Sequence, residues 1–260
     1  MTGHLSPRWT TAASRSFASV ACLVACALGC LGCQPVQVNS SSGDSGQSSS
    51  QSGGGGHVDT NSYQISQRVD QLRLDGNAGA VKLTAADGPI TVTETARYSD
   101  DKPVTSHTVD GTTLTLTAQE CQRVRSINGR CEVEWEIHAP AGTNVTLRNG
   151  AGDITVTGFA GPVDARTSSG GVRGRQLTAK TVTAKSEAGD VELSFTQPPD
   201  QVDASSSAGD VEIKLPGGVG YDVRAHTSTG EPEVNVRQQD DSPHKIEAKT
   251  SAGSVQIDNG

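Results

Sequence analysis

Val202-Asp203-Ala204-Ser205-Ser206-Ser207-Ala208-Gly209-Asp210-Val211-Glu212-Ile213 is one copy of a phrase that recurs through the second half of the chain. Reduced to a rule it reads V-x-A-x-[ST]-x-x-G-x-V-x-[VIL]. The opener leads the glycine by seven residues in Val145/Gly152, Val163/Gly170, Val182/Gly189, Val202/Gly209, Val223/Gly230 and Ile246/Gly253. Two residues past the glycine stands Ile154, Val172, Val191, Val211 or Val255. Pro232 breaks the rule after Gly230, and the apolar pair there reads as displaced to Val234 and Val236. Val81, Gly88 and Ile90 give a seventh copy with the same spacing. Self-similarity at a near-constant period of about 20 residues marks a repeat fold.

Counting the opener as position 0, positions 0, 2 and 4 are apolar or small, and so are 9 and 11. Alternate side chains of a strand share a face. The parity switches between 4 and 9, so the chain must turn at positions 5 to 8. Glycine at position 7 suits a left-handed turn, and aspartate at position 8 (Asp153, Asp190, Asp210) can bond turn amides. Gly88, Gly152, Gly170, Gly189, Gly209, Gly230 and Gly253 are therefore the expected structural turns. Position 2 is mostly alanine (Ala165, Ala184, Ala204, Ala225, Ala248), and position 4 is mostly Ser or Thr, a column able to share hydrogen bonds between coils. The expected class is all-β, a β-helix or β-solenoid of about seven two-strand repeats. The alternative is a twisted two-layer β-sandwich of hairpins.

Composition agrees. Thirty glycines, 3% aromatics and a single methionine among 260 residues describe short strands around a thin Val/Ile/Leu/Ala core. The net charge of −8 excludes the basic footprint of a nucleic-acid partner.

Three segments precede or make up this domain. Residues 1–33 have the order of an export signal: Arg8 and Arg15, then an uncharged apolar or small run from Phe17 to Gly32. The run resembles a bacterial lipoprotein signal, whose lipobox cysteine becomes the lipidated first mature residue. Cys33 is better placed, at the end of the run; Cys26 has the better tripeptide before it, Leu23-Val24-Ala25. Residues 34–62 read as a disordered Ser/Gly-rich linker ending in Gly53-Gly54-Gly55-Gly56, a flexible tether. Residues 63–260 are the β-repeat domain. Within it Asp110-Gly111 marks a hairpin. Cys121 and Cys131, the cysteines outside the signal, are expected to form a disulfide in an oxidising compartment; paired thiolate metal ligands are the alternative.

The phrase Ser206-Ser207-Ala208-Gly209-Asp210-Val211-Glu212-Ile213, together with the strand end Ile137-His138-Ala139-Pro140-Ala141-Gly142, resembles the adhesin-like β-strand repeat proteins of the DUF4097 type over about 75–260. The resemblance implies an exported protein, often lipid-anchored or membrane-tethered, folded as a β-helix. Some relatives are associated with envelope-stress sensing. The family has no agreed catalytic or ligand residues, so none is carried over.

Candidate chemistry is sparse. The six histidines have no metal-type spacing, and no G-x-S-x-G elbow occurs. Glu192 and Glu212 occupy the same outward position in adjacent copies, the one feature that fits a carbohydrate-active β-helix enzyme. The Gly-Asp turns supply one Asp per copy, interrupted at Gly171, Glu231 and Ser254, too few for a calcium repeat. No cofactor is implied. Position 3 points outward and reads Arg148, Arg166, Lys185, Ser205, His226 and Lys249, a basic ladder on an acidic protein. Arg148, Arg166, Lys185 and Lys249 are thus the candidate anionic-ligand residues, with acids at position 10 (Glu192, Glu212) as the expected charge balance. The expected function is structural or adhesin-like binding by a non-enzymatic protein, lipid-anchored on the outer face of the cytoplasmic membrane. Its partners would be the membrane through the anchor, and an anionic wall polymer or another envelope protein. An accessory role in envelope-stress or antimicrobial sensing comes second, a β-helix enzyme third.

Overall fold

The parity switch at positions 5 to 8 is realised as a turn joining two facing sheets. The structure, a computed structural model, describes residues 47–53, 56–122 and 129–260. The first strands in chain order are β1 Gln47–Gly53, β2 Gly56–Ile65, β3 Gln71–Ala78, β4 Val81–Ala85, β5 Ile90–Tyr98, β6 Thr105–Asp110, β7 Thr113–Ala118 and β8 Cys131–Ala139. The regular copies follow as pairs: β9 Asn144–Ala151 with β10 Ile154–Thr157, β11 Val163–Ser169 with β12 Val172–Leu177, β13 Thr181–Ala188 with β14 Val191–Phe195, and β15 Gln201–Ala208 with β16 Val211–Leu215. The last are β17 Asp222–Thr227 with β18 Glu233–Val234, and β19 Lys245–Ala252 with β20 Val255–Asn259. These strands belong to one compact unit, Gly43–Gly260.

First strands of the phrase build a nine-stranded front sheet, β17-β19-β15-β13-β11-β9-β3-β7-β6. Second strands build an eleven-stranded back sheet, β1-β2-β5-β8-β4-β10-β12-β14-β16-β20-β18. Neighbouring copies pair in parallel and in register, as in Val182↔Val202, Ala184↔Ala204 and Val191↔Val211. The fold is all-β and solenoid-like, as the constant period requires. Positions 0 and 2 of the front sheet face positions 9 and 11 of the back sheet. Val182, Ala184, Val191 and Leu193 are all buried, and so are Val202, Ala204, Val211 and Ile213. Alanine in the front sheet lets the two sheets close over larger residues behind.

Glycine at position 7 is required twice over. Gly189 has φ +143 and Gly209 φ +147. A Cβ on Gly152, Gly170, Gly189, Gly209 or Gly253 would also strike the carbonyl of the glycine one coil earlier. The buried position-4 side chain donates to that same carbonyl: Ser186 Oγ to Gly170 O at 2.8 Å, Ser206 Oγ to Gly189 O at 2.8 Å, and Thr250 Oγ1 to Gly209 O at 2.8 Å. Asn149 Nδ2 does so to Gly79 O at 2.8 Å. Turn carbonyls enclosed by the stack are thereby satisfied.

Four expectations change. The copy read as Val81–Gly88 is out of frame. Val81 and Leu83 lie in a second strand, paired with Ile154 and Val156 on one side and Trp135 and Ile137 on the other. The true copy is Leu72-x-Leu74-x-Gly76-x-x-Gly79-x-Val81-x-Leu83, and Gly79 rather than Gly88 joins the glycine column. Gly88 has positive φ, but nothing stacks on it. Among the described residues eight two-strand coils stack rather than about seven: β7/β8, β3/β4, β9/β10, β11/β12, β13/β14, β15/β16, β19/β20 and β17/β18. Strand β2 begins at Gly56, and β1 pairs with it antiparallel, so part of the expected 34–62 linker is sheet. The alternation Val58-x-Thr60-x-Ser62 lets that stretch zip onto β5 as an outer strand. The apolar pair after Gly230 has not slid: Val234 pairs with Ile257 at position 11, and Pro232 holds position 9. The signal of 1–33, with Cys26 and Cys33, lies outside the described residues.

Coil order departs from sequence order at the C-terminal end. The last copy, β19/β20, inserts between β15/β16 and β17/β18 in both sheets. Position-9 amides reveal why. Each donates toward this end of the stack: Val172 N to Asp190 O, Val191 N to Asp210 O and Val211 N to Ser254 O, at 2.8 to 2.9 Å. In the outermost coil that donor would face outward with no strand to meet it, and there the residue is Pro232, which has none. The imperfect copy is placed where its imperfection closes the edge.

At the other end, coil β7/β8 carries the stretch 119–130 between its strands, where a regular copy has two residues such as Gly189-Asp190. The Cys121–Cys131 disulfide closes this insertion, with Cα atoms 5.9 Å apart.

Candidate functional site

The outer face of the front sheet carries positions 1, 3 and 5. Register fixes the position-3 column as Thr117, Asp75, Arg148, Arg166, Lys185, Ser205, Lys249 and His226, one per coil. Parallel strands lie about 4.8 Å apart, which sets the spacing of these side chains along the column. Beside the column runs an open trough of about 530 Å³ lined by Asp75, Arg148, Arg166, Lys185, Glu187 and Ser205, among others. Its floor is the buried position-4 column, with Asn149, Thr167 and Ser186. Arg148, Arg166 and Lys185 are therefore brought together at one trough. Lys249 continues the same column beyond Ser205 and does not line the trough.

Charge balance is local and differs from the expectation. The position-10 acids Glu192 and Glu212 lie on the back sheet, whose outer face points the opposite way. Position 1 of the front sheet supplies the acids instead. Arg166 Nε meets Asp164 Oδ1 at 2.7 Å, Lys185 meets Asp203 of the next coil, and Lys249 Nζ meets Glu247 Oε1 at 3.1 Å. The hydrogen bond to Asp164 raises the Arg166 pKa further. Arg148 is the exception: position 1 of its strand is Thr146, and it makes no ion pair with any described residue. Positions 1, 3 and 5 along the trough hold four cations (Arg73, Arg148, Arg166, Lys185) against four carboxylates (Asp75, Asp164, Glu187, Asp203). The ladder is a band of mixed charge, not a basic patch.

Glu192 and Glu212 do stack in register on the back sheet. Arg173 Nε reaches Glu192 Oε1 at 3.4 Å, and Lys214 Nζ reaches Glu212 Oε1 at 2.7 Å. These are ordinary surface pairs.

The turn aspartates are engaged by backbone. Asp190 Oδ1 accepts from Asp210 N at 2.9 Å, and Asp210 Oδ1 accepts from Ser254 N at 2.7 Å. Asp153 accepts from Gly171 N at 2.8 Å and from Arg173 Nη1 at 2.6 Å. The bond from Gly171 N, then the Arg173 pairing, holds Asp153 below the usual carboxylate range; bonds from Ser254 do the same for Asp210. A depressed folded pKa contributes stability above the ordinary carboxylate pKa that disappears as pH falls through the folded value. The domain is thus expected to lose stability below about pH 4. Asp210→Asn keeps the acceptor and should flatten that acid limb in urea titrations at pH 2 to 5. An unchanged limb would show that Asp210 does not contribute to it.

With the repeat, the glycine column and the two-sheet stack in place, the family follows. The profile described as Toastrack DUF4097 matches residues 31–259. The chain belongs to this family. No curated protein matches it. Among solved structures, this Toastrack domain is similar to a Clostridium sporogenes protein provisionally named a cell adhesion protein: identity 16%, TM-score 0.48, 77% of this chain and 99% of that one covered. A provisionally named adhesin of Bacteroides fragilis is 13% identical, with TM-score 0.36 and coverage of 77% and 96%. A Parabacteroides distasonis protein provisionally named lipid-binding is 12% identical, with TM-score 0.26 and coverage of 77% and 96%. None of these likenesses assigns a ligand to this chain.

Asp75 and Glu187 are the charged trough residues absent from the sequence expectation. The signal was present: the rule read with leucine as opener at Leu72 puts Asp75 at position 3.

Proposed function

We propose that this is a non-catalytic, adhesin-like binding domain that is exported, lipid-anchored through Cys33 or Cys26, and engages an anionic envelope polymer along the front-sheet trough. The supporting observation is the register of Arg148, Arg166 and Lys185 over three successive coils at one trough. A polymer lying along the stack meets the same chemistry at each coil, which suits a repeating ligand. Because acids neighbour the cations, attraction acts at contact range and not by long-range steering. The export signal and the tether supply the location. Removing 1–32 takes Arg8 and Arg15 and no acid, so the charge moves from −8 to −10 and the domain is repelled from an anionic bilayer toward the wall.

The test is binding to isolated cell-wall material by wild type and by Arg148→Gln/Arg166→Gln/Lys185→Gln. The triple variant should bind at least tenfold more weakly with an unchanged circular-dichroism spectrum. Equal binding would remove the trough as the binding surface.

A further inference from the structure

In the position-3 column, each cation from Arg166 to Lys249 is matched to a carboxylate. One couple breaks the pattern. Asp75 and Arg148 stand directly opposite each other on adjacent strands β3 and β9. Strand spacing alone would permit a pair, yet the two form none with each other. Neither side chain hydrogen-bonds or ion-pairs with any other described residue. Arg73 and Thr146, at position 1 beside them, leave both groups free as well. Two glycines line the trough here, Gly76 at position 4 of β3, packed against Asn149, and Gly150 at position 5 of β9, packed against the Asn77 carbonyl. A carboxylate and a guanidinium therefore stand side by side, unpaired, at the bare end of a trough.

We infer that this end takes a zwitterionic group, an ammonium against the Asp75 carboxylate and an anionic oxygen pair against the Arg148 guanidinium. The inference rests on the reading proposed above and narrows its ligand to an anionic envelope polymer that also carries primary amines. A purely anionic polymer would bring its charge against Asp75 and Glu187. An amine-bearing one turns those carboxylates into contacts. The guanidinium fork matches a carboxylate or phosphate bidentately, while an ammonium is satisfied by a single carboxylate.

Two sources share this chemistry, a phosphodiester polymer with aminoacyl esters and wall peptides with free amines. The probes are poly(glycerol phosphate) carrying alanyl esters, with its alkali-stripped form, and amine-bearing wall peptide, with its N-acetylated form. Titration against wild type should show at least tenfold tighter binding of the amine-bearing form in one of the two pairs, which identifies the source. Asp75→Asn should erase that preference while retaining binding of the amine-free form, and Arg148→Gln should weaken both forms. Both residues are surface groups without partners, so the variants should fold as wild type. Equal affinity for amine-bearing and amine-free probes, or a preference that survives Asp75→Asn, overturns the zwitterion inference and leaves the trough reading standing. No binding of any probe overturns both.

Discussion

Gly189→Ala is expected to destabilise the domain by at least about 3 kcal/mol, whereas Gly230→Ala should cost about 1 kcal/mol. Both glycines hold position 7 of the phrase, and both have positive φ, +143 and +98. They differ in what surrounds them. A Cβ on Gly189 would meet the Gly170 carbonyl, the same oxygen that accepts from Ser186 Oγ at 2.8 Å. Making room would push two coils apart and break that bond and the neighbouring Gly170 N to Ala188 O bond of 2.8 Å. A Cβ on Gly230 meets nothing, although Gly253 lies one coil inside it, so only backbone strain remains. Urea unfolding of the two variants beside wild type separates the contributions. Similar midpoints for both would mean that stacking adds nothing to the glycine requirement.

That contrast shows what the sequence could and could not disclose. The phrase states the intra-coil rules in full: parity gave the two faces, the seven-residue lead gave the turn, and the hydroxyls at position 4 pointed to bonds between coils. Such features depend on near neighbours in the chain and survive in a single copy. Coil order does not, since all copies satisfy the same rule and any could stack on any other. Pro232 was visible, but its meaning depends on which way position-9 amides point in the assembled stack. The N-terminal copy was hidden by Leu72 and Leu74 in place of Val and Ala, and by Gly76 in place of Ser or Thr. Without that copy Asp75 had no position, and the trough seemed to be a run of cations. The acids at position 1 were also legible as residues, but which acids share a face with the column depends on the assembled sheets, and those at position 10 lie on the other one.

Ending the chain at His244 should remove on the order of 5 kcal/mol of stability and yet leave a monomer, because the remaining imperfect copy can take the vacated seat. Ile246, Val255 and Ile257 are buried in the inserted coil, and each such side chain contributes about 2 kcal/mol. Their loss strips β15/β16 of its outer neighbour and leaves Gly209 N and Val211 N, which donate to Ala252 O and Ser254 O at 2.8 and 2.9 Å, without acceptors. The copy at 223–236 fits the same edge. Val223 would replace Ile246 on Val202, Ala225 would replace Ala248 on Ala204, and Thr227 would donate to Gly209 O in place of Thr250. Pro232 would still be the outermost position-9 residue, so the shortened stack stays closed. Hydrogen exchange decides the matter. Preserved protection at Gly209 and Val211 in a monomeric truncated chain means that the copy has moved in by one coil. Lost protection with concentration-dependent self-association means that the edge is bare and that the copies are not interchangeable. Interchangeability is what a fold stated one coil at a time should allow, with the proline selecting which coil comes last.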